Sequence, residues 1–472
     1  MRVILAALAA LIAASPAQAR ESVDVLVRRA NVVDVARGRV LPQQAVALRG
    51  DTIVAVGPDR AISNRFESKR IVDAAGKFVM PGLWDMHVHF GGGPELVAEN
   101  KALLPLYVAY GVTTVRDCAA DISLSVLEWR NEVAKGQLLG PTIFTSGPKL
   151  EGYKPIWKGT LEVGTPAEVN AALDKLQAMK VDFVKITDNT LKPDTFLYAV
   201  KEAKRRGLRT SAHTPYALTI DQAVDDGLSS IEHIDYLIKA GSPKEGEIGA
   251  AFAAGKITYG AATDAFVHSF DAAYARKAYR RLAAKGVYVT PTLNMGRILA
   301  FLDREDHSRD EGLAYIGPGL RKTYDWRIER AAKATPDEVA ARHREHELSM
   351  KVLPMLQAAG IPILAGTDAG YLNSFNYPGA GLHDELELYV KAGLTPQQAL
   401  ASSILAGPRF LGHEDRYGAV QRGKAADLLI LDANPLRSVA ATRKINAVVL
   451  HGKLLDRRAI DKLLQKAKAQ AK

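Results

Sequence analysis

The stretch Val79-Met-Pro-Gly-Leu-Trp-Asp-Met-His-Val-His-Phe90 decides how the chain is read. It reads as one buried strand that runs out into two histidines. Alternate residues of a strand point to the same face, so His87 and His89 project together with backbones about 7 Å apart. Imidazoles placed this way can share one metal ion at the end of a strand. Alone the pair says little, because so short a match arises by chance.

Outward from it, residues 78–423 alternate strand and helix patterns, which predicts an α/β fold of parallel strands with helical crossovers. Seven further strands are expected, at 112–117, 142–146, 182–187, 208–213, 229–233, 286–292 and 361–368. Four capping boxes mark helix starts: Thr165-Pro-Ala-Glu168, Thr219-Ile-Asp-Gln222, Thr335-Pro-Asp-Glu338 and Thr395-Pro-Gln-Gln398. Eight strands fit a (β/α)8 TIM barrel. The open doubly wound alternative lacks a glycine-rich phosphate turn after the first strand. Residues 258–266 resist assignment. Residues 294–359 exceed one crossover and predict a helical insertion near the mouth, with His307, His343 and His346 on a solvated face.

The ends differ. Residues 20–77 and 424–472 hold short β segments, each piece too short to bury a core, so one small β-sandwich domain from both ends is expected, closed by a lysine-rich helix. Residues 1–19 carry Arg2, an apolar run at 3–14 and Ala17-Gln-Ala19, the pattern of a secretory signal peptide. Export to the periplasm or medium follows. The run is shorter than the ~20 residues a membrane span needs. Cys118 is the single cysteine of the 472 residues, so no internal disulfide can form and core size must hold the fold. The formal charge of +10 favours anionic substrates or a polyanionic surface. No nucleic-acid motif is present, and a homo-oligomer is left open.

Lys185, His213, His233 and Asp368 each fall at the end of an expected strand, as do His87 and His89. In a barrel those ends converge on one face, so six coincident positions point to a metal site rather than to core packing. Lys185 is the odd member, since an ammonium repels cations. Burial would lower its pKa, and a neutral amine can add carbon dioxide to give a carbamate, an anionic oxygen ligand.

On these residues the chain resembles the amidohydrolase superfamily over 79–454. The matching motifs are Pro81-Gly-Leu-Trp-Asp-Met-His-Val-His89, Val184-Lys-Ile186, Ala212-His-Thr214, Ile231-Glu-His233, Gly366-Thr-Asp-Ala-Gly370 and Gly423-Lys-Ala-Ala-Asp-Leu-Leu-Ile-Leu-Asp432. The resemblance implies a site for two divalent ions. His87, His89 and Asp368 would bind the more buried ion, His213 and His233 the more exposed one, with carbamylated Lys185 between. Within the superfamily the chain is most similar to the imidazolonepropionase-related prolidases and carboxypeptidases. Imidazolonepropionases and mononuclear deaminases lack the bridging lysine, so Lys185 argues against both.

Two cations sharing a water would lower its pKa. Asp368 would act as general base towards that hydroxide and then as acid towards the leaving nitrogen. Zinc fits the donor set best; manganese, iron and cobalt also fit. The expected reaction is hydrolysis of a C–N bond in dipeptides, N-acyl amino acids or aryl amides of amino acids. A lactonase, esterase or cyclic-amide hydrolase on the same metals is the alternative, and a non-catalytic binding protein is disfavoured by the intact ligand set. A substrate carboxylate would need cations or hydroxyls; the candidates are Tyr153, Lys154, Tyr216, Tyr236 and Arg297. The loop 147–157 would wall the pocket. Arg116 is expected to pair with Asp117 or Asp85. His383 and His413 read as structural.

Overall fold

The computed structural model describes residues 20–119 and 121–472; the expected signal at 1–19 lies outside them. Every expected strand but the eighth is present. Leu83–Val88, Val112–Asp117 and Thr142–Thr145 form one parallel sheet. Val184–Ile186, Thr210–Ala212, Ser230–Glu232 and Tyr288–Thr290 run parallel in a second, extended by the two-residue strands Leu150–Glu151 and Leu161–Glu162. The backbone of Asp182 donates to Thr145 at 2.9 Å and ties the two sheets on one side.

On the other side lies segment 361–369, and here the expectation of a regular strand is corrected. It makes single bridges, Ile363 to Val289 and Ala369 to Val88. Its bonds still reach both neighbours: Leu364 donates to Val289 at 2.8 Å, and Met86 donates to Ala365 at 2.8 Å. Pro362 has no N–H to offer. A Cβ at Gly366 would lie 2.8 Å from the His87 backbone nitrogen, so this chain can approach His87 only without a side chain.

The opening stretch is also corrected: it is two strands. Phe78–Pro81 pairs antiparallel with Leu428–Leu431 in the sheet built from the chain ends, and Leu83–Val88 starts the parallel strands. Gly82 is the joint. Its N–H donates to Asp427 at 2.9 Å, and a Cβ there would sit 2.1 Å from Thr113 Oγ1. Gly82→Ala should destabilise the protein by about 1–3 kcal/mol, the usual cost of overpacking, in a thermal melt. Gly246→Ala, on a helix with nothing within 4 Å of the new methyl, should be neutral or stabilising.

The chain ends share one eight-stranded sheet. Val27, Val46 and Val79 from the beginning pack with Leu428, Ile430 and Val449 from the end. All four capping boxes form, each threonine hydroxyl accepting from the backbone three residues on and the glutamate or glutamine side chain reaching back. The stretch that resisted assignment is the helix Tyr259–Ser269. Residues 293–359 carry the helices Leu293–Phe301, Pro318–Lys322, Asp325–Ala332 and Pro336–Ala359, with turns between them. Among the described residues no helix is long and apolar enough to cross a membrane.

Candidate metal centre

The strand Leu83–Val88 is fully buried and carries His87, which is 0 % exposed; His89 follows just past its end. Lys185 is the middle residue of Val184–Ile186, and His213 and His233 follow directly after their strands. His233 and Asp368 hold positive φ of 71° and 64°, a conformation that costs a non-glycine residue energy and is typically kept where function requires it. For Asp368 the backbone N–H donates to His87 at 2.7 Å, and the Asn373 side-chain amide donates to its carbonyl.

The structure brings five of the six expected ligands into one cluster by direct contact. His87 Nε2 and His89 Nε2 lie 3.1 Å apart, and Asp368 Oδ1 is 3.4 Å from the first and 3.0 Å from the second. His213 Nε2 and His233 Nε2 lie 3.0 Å apart, and the His233 and His87 ring centroids are separated by 5.1 Å. Lys185, 1 % exposed, has an Nζ with no hydrogen-bond partner among the described residues. It is close enough that its charge, after burial, helps lower the pKa of both His87 and His213.

The outer ring nitrogens are committed. His87 Nδ1 meets Glu232 Oε2 at 2.7 Å, His89 Nδ1 meets the Ala119 carbonyl at 2.6 Å, and His233 Nδ1 meets Thr292 Oγ1 at 2.8 Å. Burial pushes His87 down to about 3, so its ring is neutral. With Nδ1 donating, Nε2 presents a lone pair. His87 Nε2 and Asp368 Oδ1 are thus both acceptors, with His89 Nε2 within 3.1 Å of each, and His213 Nε2 faces His233 Nε2 at 3.0 Å. A cation between them removes the conflict. The donor set, imidazole nitrogen with carboxylate oxygen, suits zinc and its neighbours in the first transition row.

Under these ligands lies a polar layer. Glu232 Oε2 also accepts from Arg116 Nη2 at 2.8 Å, and its Oε1 accepts from Ser211 and Ser230 at 2.6 Å each. Arg116 stands between aromatic rings, 5.1 Å from Phe183 and 5.1 Å from Phe410. The expected pairing of Arg116 with Asp117 or Asp85 is therefore corrected to Glu232. Asp85 instead accepts from Thr367, 3.0 Å from its N–H and 2.8 Å from its hydroxyl, and steadies the turn before Asp368. Glu232 was missed as a supporting residue. The usable signal was polar residues Arg116, Ser211, Ser230 and Glu232 inside strands that are otherwise buried. Cys118 is buried, with its thiol pushed up to about 12 by burial, and is a packed residue.

The expected substrate contacts divide. Tyr236 stacks on His213 with centroids 6.2 Å apart, and Tyr216 meets Tyr236 edge-on at 6.1 Å. Tyr153 is 51 % exposed and donates to Glu168 at 2.6 Å, so it belongs to a helix cap. Arg297 chelates Glu305 at 2.8 and 2.7 Å and lines an open groove of about 890 Å³ with His346 and Lys391. That groove contains none of the six expected ligands. His383 is structural, bonded to Thr442 and the Tyr110 carbonyl.

Known proteins place this geometry. Residues 78–455 match the amidohydrolase family. Ochratoxinase of Aspergillus niger is 22 % identical over 464 residues, 87 % of this chain and 82 % of that protein. Adenine deaminase 3 of Rhizobium meliloti is 31 % identical over 162 residues, but the match spans only 33 % of this chain and 26 % of that protein. The crystal structure of a putative prolidase from Bifidobacterium longum superposes with a TM-score of 0.67 at 23 % identity, covering 94 % of this chain and 98 % of the other. With more than two-thirds of its length matched, the chain belongs to the amidohydrolase family and is a hydrolytic enzyme.

Proposed function

We propose that the protein is an exported amidohydrolase with two divalent metal ions, cutting a peptide-like amide beside a carboxylate. Its parallel strands, joined through 361–369, are read as a closed (β/α)8 barrel, and the end sheet as part of a β-sandwich. The observation that carries the proposal is the convergence of ligand-type atoms from His87, His89 and Asp368 and from His213 and His233, around a buried Lys185 with no partner among the described residues. We assign the first three to one ion, the second pair to the other, and Lys185, carbamylated, to both. Burial lowers the Lys185 pKa, which favours the neutral amine that such a modification needs. The resemblance to ochratoxinase over most of both chains and to a putative prolidase in fold supports an amide substrate.

When bound, the metals supply Lewis acidity and an attacking water acidified to near neutral pH. The rest is done by the chain. Asp368 Oδ1 faces His89, and its Oδ2 makes no hydrogen bond among the described residues, so Oδ2 is free to accept the proton of the attacking water and return it to the leaving nitrogen. An amide nitrogen leaves poorly unless protonated, so one carboxylate acting first as base and then as acid suits C–N hydrolysis. Tyr236 and Tyr216 wall the His213 side.

Metal analysis of the purified protein should give two ions per chain, and a chelator should abolish turnover, with recovery on adding zinc. A panel of dipeptides, N-acyl amino acids, aryl amides and lactones tests the bond. Cleavage of lactones alone would overturn the amide assignment.

A further inference from the structure

Lys149 was not among the expected site residues, yet the sheet register delivers it to the metal centre. Leu150 pairs with Ile186 in parallel strands, so Lys149 stands beside Lys185. It is 6 % exposed. Among the described residues its Nζ has no hydrogen-bond acceptor and no carboxylate in ion-pair range; it lies 5.2 Å from the ring of Trp157. A largely buried amine without an anionic partner is costly.

A second cation approaches from the helical insertion. Arg327, on Asp325–Ala332, donates from Nε to the Leu372 carbonyl at 3.0 Å and from Nη2 to Asn373 Oδ1 at 2.8 Å. Asn373 is the residue that holds the Asp368 carbonyl, so Arg327 is fixed to the loop of the proposed general base, with Nη1 unused among the described residues. Its guanidinium carbon lies 5.3 Å from the ring of Trp326. Trp326 meets Trp157 edge-on, with centroids 6.3 Å apart. Lys149, Trp157, Trp326 and Arg327 therefore form one continuous wall. Trp326 is 44 % exposed and Ile156 is 67 % exposed, so the outer edge of that wall is apolar and open.

We infer that Lys149, backed by Arg327, is the anchor for the substrate's free carboxylate, and that the Trp157–Trp326 pair takes an apolar side chain next to it. The substrate class is then an N-acylated or peptidyl amino acid with a large apolar terminal residue. The inference rests on the hydrolase reading of the same site. An anion at Lys149 gives the amine the partner it lacks among the described residues. It also gives the insertion a task, since Arg327 and Trp326 both come from it.

The test separates the anchor from the hydrolase reading. Metal-loaded wild type, Lys149→Met and Lys149→Arg are titrated with 3-phenylpropionate and with its uncharged amide, and in parallel assayed on an N-acyl phenylalanine and its carboxamide. For Lys149→Met the acid should bind roughly 10- to 100-fold more weakly, the scale of one lost charge-assisted hydrogen bond. KM for the acid substrate should rise to match, while kcat and amide binding stay within about threefold, a limit well below that loss. Lys149→Arg should recover most of the acid binding. If acid binding is unchanged in Lys149→Met, or if acid and amide weaken together, or if that variant loses bound metal, the anchor is wrong. Lysine-dependent acid binding with neither substrate cleaved would uphold the anchor and sink the hydrolase reading. Cleavage of both substrates equally, unaffected by Lys149→Met, would do the reverse.

Discussion

Lys185→Met will remove turnover while making the metal-free protein harder to melt. Lys185 Nζ is buried with no acceptor among the described residues, and a polar group in that state costs about 1–3 kcal/mol relative to an apolar one of the same shape. Methionine fills nearly the same volume without the charge, so it avoids the cavity that alanine would leave. A calorimetric scan of the apo variant should therefore give a higher melting temperature than wild type. Activity should move the other way, by at least ~10²–10³-fold, the scale seen when a group that stabilises the transition-state charge is removed. Bound metal should fall below two ions per chain. The opposed signs make the experiment decisive. A lysine kept for packing would lose stability on substitution and retain activity, whereas one kept for chemistry is held against its own folding cost. Unchanged metal content and turnover in Lys185→Met would end the bridging assignment.

What sequence could and could not show divides along one line. Residues placed by local rules were legible. The four capping boxes need only positions three apart, and each formed. The six candidate ligands could be named because strand ends recur after glycine-terminated helices, which marks one face in advance. Pairings set by distant chain segments were not. Arg116 and Glu232 are 116 positions apart, and nearer acids competed for Arg116 on paper. The split at Gly82 was hidden because residues 78–88 are apolar enough to read as one buried run; it took the Thr113 side chain, 31 positions later, to require a joint there. The surroundings of Tyr153 and Arg297 were hidden for a related reason. Each sits in a loop or insertion whose path is fixed by packing, and each found a nearby glutamate. Lys149 was passed over because only the pairing of Leu150 with Ile186 shows that it stands beside Lys185.

The layer beneath the ligands makes the second large prediction. Glu232→Gln should destabilise the protein by about 3–5 kcal/mol, the usual result of leaving a buried charge without its partner. The stranded charge is Arg116, which is 0 % exposed. The same change weakens the acceptor on His87 Nδ1, which fixes the ring's tautomer and aim, so metal affinity should fall about 10- to 100-fold. These two losses have different causes and can be separated. Pairing Glu232→Gln with Arg116→Met removes the stranded charge and puts a thioether between Phe183 and Phe410, a favourable contact. Chemical denaturation of the double variant should show most of the stability restored, as expected when a buried pair gives way to apolar packing. Its metal affinity should stay low, because His87 still lacks a carboxylate. Acid should reproduce the first effect in wild type. Burial raises the Glu232 pKa, but Arg116 and His87 outweigh it and hold the carboxyl well below its ordinary value. Its contribution is thus complete above the unfolded carboxylate pKa and is lost as pH falls through the lower, folded one. If the double variant regains metal binding along with stability, Glu232 serves the fold alone and His87 is aimed by packing.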